Sequence, residues 1–371
     1  MRPLKIAVPC ALALFVLAFL CAGQEPGPLQ EPGQTVTKKK AADSTATPAD
    51  SSLPKIPSQY KKDKQDAGDI PTFKTDVDIV TLDVAVVDGN GQFLPGIPPV
   101  KFRVLEDNVP QQVRRVDMGE APMTVALLVE FSNVFQRLYS SVWYQTLQLS
   151  WGFALSLKPT DYLAVIAYDI KPEILCDFTS DKNKVQEALH RMSIPAWHEA
   201  NLFDAVTDTA DRMSGIEGRK AILVITSGID TLSRLTYDQT RKSLQQSGVP
   251  IYAISLMGMQ RAMSAQGDNI AYLQADNELR TFAKETGGQT FFPRFEGEYS
   301  GIFQQVQQAL RNQYVITYSP SNKTHDGGFR KLKVDLVDTD GKPAAFRDPK
   351  GKPIKYTVIA KSGYKAQREV E

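Results

Sequence analysis

The sequence is short of the residues that most catalytic and metal chemistry needs. Its 371 residues include three histidines and three cysteines. No zinc-ligand spacing, phosphate loop, dinucleotide fingerprint or hydrolase elbow is present. These absences argue against an enzyme. Charge of one sign is lacking too, since 43 basic and 42 acidic residues leave a formal net charge of +1. No dominant field therefore favours nucleic acid or an acidic substrate. The tract Lys38, Lys39, Lys40 reads as part of a solvated linker. One long apolar run stands out, from Ile6 to Leu20 behind Arg2 and Lys5. It is shorter than a membrane-spanning helix and placed like a secretory signal. Small residues at Cys21, Ala22 and Gly23 predict cleavage after Gly23. Lipid anchoring at Cys21 is the weaker reading, because bulky Leu20 precedes it. An exported chain, periplasmic or extracellular and without a transmembrane segment after cleavage, is expected. Cleavage would remove Cys10 and Cys21, leaving Cys176 no disulfide partner. In "EILCDFT" Cys176 reads as a small buried hydrophobe.

What is present is apolar material for a full core, 42% of residues against 23% charged, and a clear pattern for arranging it. Residues 1–23 are the predicted signal. Residues 24–70 are rich in Pro, Ser, Thr and Lys and poor in branched apolar residues, so they cannot offset their ordering entropy and read as a tether. Order should begin near Phe73. Residues 71–120 carry period-two strands in "VDIVTLDVAVVD", "VKFRVLED" and "PQQVRRVDM", and residues 312–366 return to that pattern in "QYVITYSP", "FRKLKVDLVD" and "IKYTVIAKSGY". Residues 367–371 are a tail. Between the two sets, 121–311 alternate apolar runs with helical periodicity. The runs "MTVALLVEF", "YLAVIAYD", "EILCDFT", "KAILVITS", "PIYAISLM" and "QTFFP" look like strands buried on both faces. Helices are expected over Gln136–Leu157, Lys182–Arg191, Leu202–Met213, Tyr237–Gln246, Ala271–Glu285 and Tyr299–Arg311, with Asp181 capping the second and Gly287-Gly288 ending the fifth. Strands spaced by helices imply a doubly wound, mainly parallel α/β sheet.

With these motifs placed, the chain resembles a von Willebrand factor type A (VWA) domain, in particular the VWA-related family of exported acidobacterial proteins. The residues that carry the resemblance are "VLEDNVPQQV", "VALLVEFS", "LKPTDYLAVIAY", "NLFDAV", "KAILVITSGIDT", "QYVITYSP" and "SGYKA", spread over nearly everything from Phe73 to Ala366. The resemblance implies a Rossmann-like sheet of six strands with "EILCDFT" as an antiparallel edge strand. It also implies that the leading and trailing strands fold together as a small β-sandwich into which the VWA core is inserted.

VWA domains that bind a divalent ion use an Asp-x-Ser-x-Ser loop, a Thr and a second Asp. An ion such as Mg²⁺ needs such an oxygen set, since it demands near-octahedral geometry at about 2.0 to 2.1 Å. Carried onto this chain, the first Asp becomes Glu130, Ser132 is kept, the second Ser becomes Val134, the Thr becomes Ala200 and the second Asp becomes Ser227. One of five positions is intact, which reads as a degenerate metal-ion-dependent adhesion site with no cofactor required. A shifted set for Mg²⁺ or Ca²⁺ would have to draw on Glu130, Ser132, Asn201, Ser227 and Asp230. The competing readings are structural: Glu130 accepting backbone N–H groups of its own following loop, Asp230 capping the next helix, and Asp204 hydrogen-bonding near a helix start. In place of the missing oxygens stand Phe131, Asn133, Val134, Trp197 and His198, an apolar, aromatic group with a polar rim that suits protein contact. The "MGMQRAMSAQGDNIAY" segment should lie on the same face and adds adaptable Met residues. The expected function is a non-enzymatic adhesion or scaffold module that binds a partner protein without metal. Its alternatives are a metal-dependent adhesion or assembly factor, and a hydrolase using His198, Glu199 and Ser132.

Overall fold

The computed structural model describes residues 79–132, 139–192, 199–256, 269–348 and 350–368. The expected signal, the tether and the stretch 71–78 lie outside them. The central element is β5 (Met123–Glu130), with every residue buried. Its side chains alternate: Val125, Leu127 and Val129 join one core cluster, Ala126 and Leu128 another. A strand that feeds two cores must be covered on both faces, which is why it reads as a continuous apolar run.

Around β5 the strands run β10 (Thr290–Phe291), β9 (Ile251–Ser255), β8 (Arg219–Thr226), β5, β6 (Tyr162–Tyr168) and β7 (Pro172–Thr179). All neighbours are parallel except β6 and β7, which pair antiparallel. Chain order turns back at β5, the switch point of a doubly wound sheet, so the carboxyl ends of β5, β6 and β8 face one crevice. The first core side is covered by α1 (Tyr139–Ser156), α2 (Lys182–Arg191) and α6 (Tyr299–Arg311). The second is covered by α3 (Leu202–Ser214), α4 (Tyr237–Ser247) and α5 (Asn269–Thr286).

Helix ends follow local chemistry. Asp181 accepts from Asn183 N at 2.9 Å, and Thr236 and Gln239 form a reciprocal capping box at the start of α4. Gly287 stops α5 at φ +85°, a left-handed conformation that spares glycine a Cβ clash.

Two four-stranded antiparallel sheets flank this core in sequence. One has the order β15 (Tyr356–Ile359), β1 (Val80–Asp88), β11 (Asn312–Tyr318), β4 (Val113–Glu120). The other runs β16 (Gly363–Lys365), β12 (Phe329–Leu336), β2 (Phe102–Glu106), β3 (Val109–Gln111). Leading and trailing strands pair directly, β1 with β11 and β2 with β12. Leu82, Val84 and Tyr314 from the first sheet share one apolar cluster with Val104 and Val334 from the second. A short hairpin, β13 (Phe346–Arg347) with β14 (Pro353–Ile354), completes the strands. At the foot of the six-stranded sheet, buried Asp161 accepts Arg311 Nη2 at 2.7 Å and Nη1 at 3.2 Å. It also accepts the amides of Met123 and Lys158. These contacts satisfy both carboxylate oxygens, which offsets the cost of burying the pair.

Several expectations need correcting. "PQQVRRVDM" is two strands, broken at Gln112, and "IKYTVIAKSGY" splits among β14, β15 and β16, the last two in different sheets. The strand in "QTFFP" spans only two residues. "EILCDFT" is not buried on both faces: as an edge strand it is partly exposed, with Ile174 45% accessible. Cys176 is accordingly half-buried, and its thiol, pushed up by burial, donates to Asp177 O at 3.3 Å.

Candidate functional site

Three parallel strands end in polar residues at the switch point, Glu130 on β5, Tyr168 on β6 and Thr226 on β8, and Ser227 directly follows β8. Strand pairing sets Glu130 beside Tyr168 and places Val129 opposite Ile225, so the polar termini converge. Glu130 is 7% exposed. Its Oε2 accepts Ser227 N at 2.7 Å, Ser227 Oγ at 2.8 Å and Thr226 Oγ1 at 2.8 Å, with Tyr168 OH at 3.3 Å. Its Oε1 accepts Ser132 Oγ at 2.7 Å.

The donors are themselves fixed. Thr226 Oγ1 lies 2.8 Å from Tyr168 OH and accepts Gly228 N at 2.8 Å, while Ser227 Oγ accepts Ile229 N at 3.1 Å. Gly228 has φ +82°, and a Cβ there would meet Leu279 Cδ1 at 2.8 Å, so this tight turn admits no side chain. Burial, and next the Glu130 carboxylate, raise the Tyr168 hydroxyl well above its usual pKa. Tyr168 therefore remains a neutral donor in the network.

The expected backbone contact of Glu130 takes a different form from the one anticipated. The amide it binds belongs to Ser227, on the loop after β8, and its own following loop contributes the Ser132 hydroxyl. Phe131 N donates instead to Tyr168 O at 2.7 Å. The Phe131 ring is half-buried against Trp143, with centroids 5.0 Å apart. Asn133, Val134, Trp197 and His198 lie outside the described residues, as does most of "MGMQRAMSAQGDNIAY". Asp230 does not cap the next helix. It accepts Phe203 N at 3.0 Å, closing the start of α3, and Ser233 Oγ at 2.6 Å. The reason is spatial, since the loop after β8 passes over the start of α3 before α4 begins. Asp204 accepts the amides of Arg234 and Leu235, both at 3.0 Å, and is structural as expected.

Ala200, where the family's Thr would stand, is fully buried and exchanges backbone contacts with Thr231: its amide donates to Oγ1 at 2.8 Å, and Thr231 N donates to its carbonyl at 2.9 Å. Asn201 donates Nδ2 to Ile170 O at 2.9 Å, and its buried Oδ1 has no hydrogen-bond partner among the described residues. That orphan oxygen is the one feature of the set that favours a cation. It is neutral and single, whereas the carboxylates an ion would need, Glu130 and Asp230, already accept the donors named above. Among the described residues no three His, Cys, Asp or Glu side chains group as metal ligands. The residues present do not fit an octahedral ion. Thr226, Tyr168 and Thr231 were not singled out in the sequence. Their signal was a polar residue ending or following a wholly apolar strand.

No protein-family model matches the chain, and no curated protein matches it. Among solved structures, the chain is similar to BatB, a conserved hypothetical protein from Bacteroides thetaiotaomicron, at 14% identity over 50% of this chain and 98% of that one, with a TM-score of 0.40. It is also similar to the vWF domain of the type V pili tip protein Mfa5 from Porphyromonas gingivalis (12% identity, 52% and 97% covered, TM-score 0.37). A third is the VWA domain of SpRpn10 (12% identity, 51% and 97% covered, TM-score 0.35). The VWA-like description of this fold rests on its strand order and its antiparallel edge strand.

Proposed function

We propose that the chain is an exported, non-enzymatic protein-binding module that engages its partner through the loops at the carboxyl ends of the sheet strands, without a metal ion. The observation that carries this reading is the filled state of Glu130, whose two oxygens accept three hydroxyl protons and one amide at 2.7 to 2.8 Å. In an ion-dependent adhesion site a cation joins the loops above the sheet. Here internal donors join the loops after β5 and β8, and the site is a degenerate one. Phe131 and Val134 after β5, with Trp197 between α2 and α3 in the sequence, suit a desolvated contact.

Several finer readings belong to the same proposal. The two four-stranded sheets, sharing one core cluster, act as a β-sandwich base with the VWA-type unit set into it, as in the VWA-related family of exported acidobacterial proteins. The apolar run behind Arg2 and Lys5 supports export to the periplasm or beyond. No described helix is long and apolar enough to cross a membrane. The hydrolase alternative would need His198 beside Ser132, and Ser132 Oγ donates its hydrogen bond to Glu130. The test is co-purification from the native cell envelope, comparing wild type with Trp197→Ala. A partner that survives EDTA washing and is lost in the variant is expected. Loss of the partner on chelation, with recovery on adding Mg²⁺ or Ca²⁺, would replace this reading by the metal-dependent one.

A further inference from the structure

Helix α5 has two working faces. Ala275, Leu279, Phe282 and Ala283 enter the core, as their spacing requires. A second stripe, Ile270, Leu273, Asn277, Glu278 and Thr281, forms with Tyr237 of α4 a groove of about 370 Å³. Ile270 is 83% and Leu273 49% exposed. Both stand in the opening turns of α5, the helix that follows the carboxyl end of β9, so the groove opens at the same end of the sheet as Glu130. On its floor the Tyr237 ring stacks on Phe282 with centroids 5.4 Å apart.

Glu278 gives the groove its polarity. It accepts Gln274 Nε2 at 2.9 Å, and no Lys or Arg among the described residues pairs with it. Burial raises its carboxyl pKa, the Gln274 bond opposes this, and the Asp230 carboxylate adds to the rise. A partly buried carboxylate that no described Lys or Arg pairs with is complementary to a positive side chain delivered from outside. The exposed Ile270 and Leu273 supply apolar area for the neighbours of that side chain.

We propose that the α4–α5 groove is a docking site for a segment of a partner protein that presents a Lys or Arg between apolar side chains. The negative charge disfavours an anionic membrane surface as the occupant. The proposal rests on the protein-binding reading above and identifies the chemistry that the partner brings.

The test uses the purified full chain and immobilised peptides of one pattern, apolar residues around a central Arg, beside the same peptides with Gln at the centre. The Arg set is expected to bind about tenfold or more tightly than the Gln set. Glu278→Gln should erase that preference, and Ile270→Asp, at an exposed position that leaves the core intact, should abolish binding of both sets. Equal binding of the two sets by wild type overturns the proposal, and so does binding unaffected by Ile270→Asp. Self-association of the chain that disappears in Ile270→Asp would make a second copy the occupant and overturn it as well. Peptide binding with normal selectivity, but no envelope partner sensitive to Trp197→Ala, would leave the groove standing and remove the loop-mediated function. The opposite pair of results would do the reverse.

Discussion

Two buried glutamates, one in each part of the molecule, meet the cost of burying charge in different ways. Glu130, at the carboxyl edge of the six-stranded sheet, has partners on both oxygens. Glu106, at the end of β2 and 2% exposed, accepts Tyr318 OH at 2.5 Å and Tyr364 OH at 3.0 Å on Oε2, while its Oε1 has no partner among the described residues. The first ties together loops that begin on separate strands. The second sits where β11 and β16 meet β2, and its neighbours are already held by backbone pairing. Glu130 joins otherwise independent loops with donors on both oxygens, whereas Glu106 sits among paired strands with described donors on one oxygen only. The Glu130 network thus ties the loops after β5 and β8 together, and the Glu106 trio adds to strands already paired.

The largest expected effect is that of Glu130→Ala. It strands three hydroxyls and an amide around a small buried space, and the expected loss is about 3–5 kcal/mol in urea unfolding. Glu130→Gln keeps the shape and should cost less, roughly 1–3 kcal/mol. Equal losses for the two would mean that packing, and not charge, holds the loops.

The Glu106 trio should behave asymmetrically. Tyr318→Phe alone removes one donor and should cost about 1–2 kcal/mol. Glu106→Met combined with Tyr318→Phe and Tyr364→Phe, which removes every polar member, should stay within about 1 kcal/mol of wild type. A triple variant as damaging as Glu130→Ala would erase the distinction between the two sites.

A smaller effect follows from the tyrosines. Burial raises the hydroxyl pKa of Tyr168, Tyr252, Tyr318 and Tyr364, and pushes that of Tyr299 up to about 12. In the unfolded chain these groups ionise near pH 10. The folded form therefore retains protons that the unfolded form releases. Their contribution to stability is intact below about pH 10 and falls above it, for Tyr299 across roughly pH 10 to 12, by at most about 1.4 kcal/mol per pH unit for each group. Unfolding free energies measured across that range should show the decline, shallower in Tyr318→Phe. A flat profile to pH 12 would mean that these hydroxyls are hydrated.

The sequence was most informative where periodicity alone decides. Lys182–Arg191 and Tyr299–Arg311 were legible to the residue, because an apolar stripe, Asp181 and a change to strand pattern fix their ends. The antiparallel edge strand was implied by the VWA resemblance, and its short connection to β6 agrees with it. The partners at the site were much less so. Ser227 lies 97 residues from Glu130, and only the parallel pairing of β5 with β8 brings them together. Asp230 was assigned to the following helix because sequence neighbours are the default partners of a capping residue. Folding gave it the start of α3, 27 residues earlier. The lack of a side-chain oxygen at Val134 and Ala200 was readable from the sequence. The hydroxyl and amide network around Glu130 required knowing which strand ends are adjacent.

The central claim, that internal donors have taken the place of an ion around Glu130, is tested most directly by thermal unfolding with and without Mg²⁺, Mn²⁺ or Ca²⁺. Wild type should melt at the same temperature in all conditions. A chain carrying Glu130→Asp, Val134→Ser, Ala200→Thr and Ser227→Asp should gain an ion-specific rise in Tm. A rise in wild type that Glu130→Gln removes would contradict the account.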